Sequence, residues 1–186
     1  MNYMYKVIDS PVGKLKLVAS DDGLAAILWD RDDPKRVPLG TCVESPEHPL
    51  LVETEHQLRE YFEGKRRTFS LALHFRGTVF QKRVWQALLT IPYGETRSYG
   101  QIAAQIGRAS AARAVGAANG RNPISIIAPC HRVVGSDGKL TGFAGGLDIK
   151  ERLLALEADY KRSSLAITTG GRREPIRAAR KALSRF

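Results

Sequence analysis

No apolar stretch in this chain approaches the roughly 18 to 20 residues that a membrane-spanning helix needs. The start also lacks the basic segment, apolar run and small-residue cleavage site of a secretory leader, so a soluble, unexported, cytoplasmic protein is expected. Cysteine is scarce: Cys42 and Cys130 are the two among 186 residues, too few for a disulfide scaffold and best read as free thiols in a reducing compartment. His48, His56 and His74 lack partners at ligand spacing, which leaves no metal site to expect and makes them surface or satisfied core histidines. Internal repeats and low-complexity segments are missing as well. Negative charge is in short supply. With 29 Lys and Arg against 19 Asp and Glu the net charge is +10, which points to a polyanionic partner such as nucleic acid or, less specifically, a membrane surface. Residues 160–186 carry +7 of that excess, as a tail that either meets phosphate or is a solvated extension.

What the chain does have is 43% hydrophobic residues, enough for the core of one domain or two small ones, and one chemically pointed stretch. Residues 127–134 read I-A-P-C-H-R-V-V. A free thiol has a pKa near ~8.5, and a neighbouring His or Arg favours the attacking thiolate. Adjacent residues of an extended chain point to opposite faces, so His131 needs a bend or a bridging water to serve Cys130. An ordinary buried cysteine in a strand fits these residues equally well.

Upstream, Tyr5 and Val7, Leu15 and Leu17, and Leu24 to Trp29 read as three strands separated by turns at residues 10–13 and 21–23. Residues 31–49, rich in proline and charge, are expected as a surface loop. Leu51, Thr54, Leu58, Tyr61 and Phe62 fall at helical spacing before Gly64, and Phe69, Leu71, Leu73 and Phe75 alternate as a further strand. Residues 1–76 are thus expected to form a small sheet under a covering helix, without site chemistry of their own.

From Gly77 the pattern turns helical, over an expected second domain of residues 77–160. Thr78 with Gln81 and Ser98 with Gln101 form capping boxes, each opening a helix, and Gly107 ends the second. A third helix over residues 111–119 completes a helix-turn-helix. Its Ala, Val and Gly residues, with Arg113 and Asn119, offer little to read base edges; they suit tight helix packing or else close approach to a minor groove. On the last helix, residues 147–160, Glu157 shares the face of Lys150, Leu153 and Leu154. A carboxylate on an apolar face needs a partner, either His131 or a helix-end cation, Arg152 or Lys161.

Pro129-Cys130-His131-Arg132-Val133, Ala112-Arg113-Ala114-Val115-Gly116, Asn122-Pro123, Ile91-Pro92-Tyr93-Gly94, Ser98-Tyr99, and Gly145-Gly146 with Lys150 to Glu157 together resemble the O6-alkylguanine-DNA alkyltransferases over about residues 3–160. The resemblance implies a mixed α/β fold, with a ribonuclease-H-like N-terminal domain and a mainly helical, winged-helix-like C-terminal domain. It implies alkyl transfer from guanine O6, and from thymine O4, to Cys130, once per molecule and without metal or cofactor. His131 would draw off the thiol proton through water, Glu157 would orient His131, and Tyr99 would donate a hydrogen bond to the departing base. Arg113 would fill the gap left by the flipped nucleotide, with Ala112, Ala114, Gly116 and Tyr99 along the DNA. Asn122 would be the hinge between helix and site, and Val133, Phe143, Ala144 and Gly145 would line the base pocket. The partner implied is double-stranded DNA carrying O6-alkylguanine, bound by a monomer, with cooperative assembly left open. Phe143 and Ala144 stand where many relatives carry Tyr and Ser, and Leu156 and Ala158 replace the His and Gly that often flank the glutamate. Two other classes remain: a DNA-binding regulator with Cys130 as redox sensor, which lacks a nearby resolving cysteine, and a multiple-turnover cysteine hydrolase, which leaves the helix-turn-helix unexplained.

Overall fold

Alternating side chains and two tight turns build the first layer of the structure, a computed structural model that describes residues 2–168. β1 (Tyr3–Ile8), β2 (Leu15–Ser20) and β3 (Gly23–Trp29) form the expected antiparallel meander, pairing Tyr5 with Val18 and Leu17 with Ile27. Gly23 has a φ of +141°, and a Cβ there would meet the Ala72 carbonyl oxygen at 2.6 Å. Only glycine lets residues 72–74 close on this strand. α1 (Pro49–Phe62) covers the sheet with Leu51, Leu58 and Tyr61, all fully buried.

Two details depart from the sequence reading. The loop after β3 contributes a short strand, β4 (Cys42–Glu44), parallel to β1, giving the order β3-β2-β1-β4. Three residues are too few for alternation to reveal. Residues 69–75 are not a strand: they meet β3 at one isolated bridge, Leu24 with Leu73, although their apolar side chains pack on the core as the alternation implies.

The second half is mainly helical. Both capping boxes form, Thr78 with Gln81 at the head of α2 (Val79–Leu88) and Ser98 with Gln101 at the head of α3 (Tyr99–Gln105). α4 (Ala112–Gly120) packs across α2, where Trp85 Nε1 donates to the Ala118 carbonyl at 2.8 Å. β5 (Arg97–Ser98) pairs parallel with β6 (Val133–Val134), and α5 (Leu147–Thr168) continues past Tyr160. The rest of the basic tail, residues 169–186, lies outside the described residues. None of the described helices is long and apolar enough to cross a membrane.

One core cluster joins Leu17, Ile27, Leu58 and Tyr61 of the sheet half to Ile124, Ile126, Ile127 and Leu153 of the helical half. Ile27 N–H also donates to the Pro123 carbonyl at 2.8 Å. A second cluster gathers Trp85, Leu88, Ile102 and Val115 around Cys130 and Val133. Ile126, fully buried, sits at φ 73°, a conformation a β-branched residue rarely adopts, and it bends the chain just ahead of Cys130.

Candidate active site

The chain reaches Cys130 through successive tight turns, Ala128 N–H donating to Ile124 O at 2.9 Å and Cys130 N–H to Ala128 O at 2.7 Å. Residues Cys130–Arg132 then form a single 3-10 turn. This turn supplies the bend that an extended reading of the stretch lacked. On such a turn successive side chains fan out by about a third of a revolution each, so Cys130, His131 and Arg132 separate rather than stack.

His131 and Arg132 both meet Glu157 of α5. His131 Nε2 lies 2.8 Å from Glu157 Oε1, and Arg132 donates Nε to Oε2 at 2.8 Å and Nη2 to Oε1 at 2.9 Å. Tyr61 of α1 donates its hydroxyl to Oε1 at 2.8 Å, and Gly94 N–H donates to Oε2 at 3.0 Å. Glu157 is fully buried, and its charge partner is Arg132, whereas Arg152, the helix-end alternative, is exposed. Burial alone would raise the carboxyl pKa; the hydrogen bonds and charges of His131 and Arg132 outweigh it and hold the group at about 2 instead of 4.5.

Burial has the opposite consequence for His131, whose pKa falls below 6.5 because desolvation outweighs Glu157. The ring is therefore neutral near pH 7. With Nε2–H directed at the carboxylate, Nδ1 is left as an acceptor, and it has no hydrogen-bond partner. That is a base in waiting.

The thiol behaves differently from the sequence expectation. Burial pushes the Cys130 pKa up, and the groups pulling it back are the Asn122 and Ser125 side chains and the charges of Arg36 and Lys150, while Arg132 is committed to Glu157. Asn122 is fully buried; its Nδ2 donates to Ala128 O at 2.7 Å and its Oδ1 accepts from Ile124 N–H at 3.1 Å, which pins the turn under the sulfur. The Asn122 carbonyl in turn accepts from Arg36, which is ion-paired with Asp32.

Tyr99, at the start of α3, rests over Gly116 of α4, where a Cβ would lie 3.7 Å from its ring, and accepts from Thr141 Oγ1 at 3.0 Å. Arg113 and Ala114 are exposed on α4 beside it, and Ala112 is half-buried. Lys150, fully buried, donates to the carbonyls of Val133 and Thr141 at 2.6 Å each and so ties the loop to β6. Phe143 packs edge-on against Trp29 at 5.5 Å between ring centres and against His131 at 6.5 Å; a Cβ on Gly145 would lie 2.9 Å from the Trp29 ring. Ala144 is half-buried alongside. Of the residues expected to line the base pocket, Val133 is buried and Phe143 and Gly145 pack against Trp29. Cys130 is 2% exposed, and two surface clefts of about 380 and 270 Å³ are both lined without it. With Cys130 this buried, side chains around it would have to move before a purine could reach the sulfur.

Sequence reasoning missed Tyr61 and Arg36, and it set Arg132 beside the wrong group. Tyr61 carries only the signal of a core aromatic on a helix stripe, and Arg36 that of a charged loop.

Residues 79–159 match the family described as 6-O-methylguanine DNA methyltransferase, DNA binding domain, and residues 3–75 match its ribonuclease-like domain. The chain belongs to the 6-O-methylguanine DNA methyltransferase family. The methylated-DNA–protein-cysteine methyltransferase of Mycolicibacterium paratuberculosis is 50% identical to it over 165 residues, 88% of this chain and 97% of that protein. The protein of the same description from Methanosarcina acetivorans is 50% identical over 153 residues, 82% of this chain and 97% of its own. The crystal structure of Mycobacterium tuberculosis OGT in complex with DNA superposes with a TM-score of 0.78 at 48% identity, covering 86% of this chain and 94% of that one. In this methyltransferase the polar site draws on both matched segments: Arg36 and Tyr61 come from the first, and Cys130, His131, Arg132 and Glu157 from the second.

Proposed function

We propose that this methyltransferase repairs double-stranded DNA by moving the alkyl group of O6-alkylguanine, and of O4-alkylthymine, irreversibly to Cys130. The observation that carries this reading is the partnerless Nδ1 of a neutral His131 whose Nε2 is held by Glu157, one residue along the turn from the thiol. The Cys130 proton passes through a water to Nδ1, and the sulfur attacks the alkyl carbon in line. The S–C bond forms as the C–O6 bond breaks, and the electron pair withdraws into the guanine ring. Glu157 balances the imidazolium that results. The Tyr99 hydroxyl, which meets Thr141 in the structure, turns to donate a hydrogen bond to the departing base.

DNA is met by α3 and α4, and on α4 the exposed residues are Arg113, Ala114, Ala117 and Gly120, which offer Arg113 alone to a base edge. Such a surface suits the minor groove, with Arg113 filling the stack after the damaged nucleotide swings out at a cost of a few kcal/mol. Asn122 fixes the turn carrying the sulfur, and Val133, Phe143, Ala144 and Gly145 enclose the base once the loop parts. The thioether product is a poor leaving group, so each molecule reacts once, which separates this reading from a hydrolase.

Titration with a duplex carrying O6-methylguanine, followed by intact-mass and peptide mass spectrometry, is expected to show one methyl per protein, on Cys130. Turnover beyond one equivalent, or an adduct mapped elsewhere, would overturn the reading. Arg113→Ala is expected to slow reaction with the duplex while leaving reaction with free O6-benzylguanine within about twofold, because only the duplex needs its base extruded. Equal losses on both substrates would remove Arg113 from the flipping step.

A further inference from the structure

Glu157 Oε1 receives three donors: the His131 ring, Arg132 Nη2 and the Tyr61 hydroxyl. Oε2 receives two, Arg132 Nε and Gly94 N–H. A carboxylate oxygen offers about two lone-pair sites, so the donors on Oε1 share its electron density. We propose that Tyr61, from the half of the chain without the nucleophile, is a positioning residue for the alkyl transfer: its hydroxyl weakens the hold of Glu157 on His131 and so sets the pH above which His131 acts as a base. This inference rests on the function proposed above.

The hydroxyl has little freedom to go elsewhere. Tyr61 is fully buried, and its ring is fixed by Phe62, Phe69 and Tyr93 at centre distances of 5.4, 5.6 and 6.0 Å. Burial and the facing carboxylate push its pKa well above 10, so it remains a donor through the working range. A buried tyrosine needs an acceptor, and a backbone carbonyl would satisfy that need; what distinguishes Tyr61 is an acceptor oxygen shared with the base. Among the described residues, the charged and titratable groups around the His131–Glu157 pair are Lys150 from α5, Arg132 and Cys130 on the same turn, Tyr61 from α1, and Tyr93 before β5 with Arg67 acting on it. Of these, Tyr61 touches Oε1 without carrying a charge, so its hydroxyl can be removed without changing the net charge of the cluster.

The test is Tyr61→Phe, which keeps the ring. Rates of benzyl transfer from free O6-benzylguanine to Cys130 are measured by mass spectrometry from pH 5 to 9. With one donor fewer, Oε1 holds the imidazolium more strongly and the acid limb of the profile moves up by about half a pH unit to one unit. The variant then reacts about three- to tenfold slower on that limb and within about twofold on the alkaline plateau. An unchanged profile, or the same loss at every pH, overturns the proposal, the latter because it is what a packing defect would give. Wild-type protein is titrated in parallel with the O6-methylguanine duplex, and the absence of a methyl group on Cys130 there overturns the parent function as well. Should Tyr61→Phe not fold, wild-type protein labelled with 15N-histidine gives a second readout. A slowly exchanging Tyr61 hydroxyl proton with a cross-peak to the His131 Nε2 proton supports the shared acceptor, and a hydroxyl in fast exchange with water overturns it.

Discussion

Glu157→Gln is expected to destabilise the protein by about 3–5 kcal/mol, the usual result of removing one partner from a buried ion pair. In a chain of this size that corresponds to a melting temperature lower by roughly 10 °C or more. The variant keeps the shape of the side chain but leaves the Arg132 guanidinium buried at 5% residue exposure without its counter-charge. An amide also gives His131 Nε2–H a weaker acceptor and can reverse the ring's orientation by presenting its NH₂. Alkyl transfer should fall at least about a hundredfold, the scale of losing an orienting carboxylate behind a histidine base. The pH dependence carries a definite sign. Because the folded protein holds Glu157 at about 2 rather than 4.5, its contribution is fully present above 4.5 and is lost as the pH falls toward 2. Urea midpoints of wild type and variant should therefore converge as the pH is lowered through that window. A constant gap would mean that the carboxylate's charge is not what stabilises the fold.

Lys150→Met is expected to slow alkyl transfer about tenfold at neutral pH and to lower stability by about 1–3 kcal/mol, as two buried carbonyls lose a shared donor. Lys150 serves two ends of the site at once. Its ammonium bridges Val133 O and Thr141 O, and its charge helps offset the burial that raises the Cys130 pKa. Burial lowers the pKa of Lys150 itself, so removing the charge also relieves a desolvation cost, and the loss in stability is smaller than for Glu157. If the charge acts on the thiol, the rate deficit narrows as the pH rises, because alkali supplies the thiolate directly. A deficit that stays constant with pH would assign Lys150 to holding the loop alone. Rates with free O6-benzylguanine across pH separate the two.

Local signals carried much of the fold. Both capping boxes, the β1–β3 meander and the stop at Gly107 follow from side chains within a few positions of one another. Glu157 was legible in part: a carboxylate on an apolar helix face demands a partner, but its sequence position left His131 and a helix-end cation, Arg152 or Lys161, both open, and the structure gives it His131 and Arg132. Arg132 was not legible, because adjacency to Cys130 in sequence says nothing of direction on a 3-10 turn. Tyr61 and Arg36 reach their partners across 96 and 86 residues, and no spacing rule spans such a separation. The closed loop at residues 141–145 was also beyond reach, since Trp29 and Phe143 come together only after the sheet has packed against the helical half.

The interior shared by Ile27, Leu58 and Tyr61 with Ile124, Ile126, Ile127 and Leu153 bears on how the molecule is made. On the ribosome the sheet and its covering helix emerge first, with a bare apolar flank whose complement has yet to be synthesised. The newborn amino-terminal half must wait for those later isoleucines before its hydrophobic surface is fully sheltered, and during that interval it is open to sticking to its neighbours.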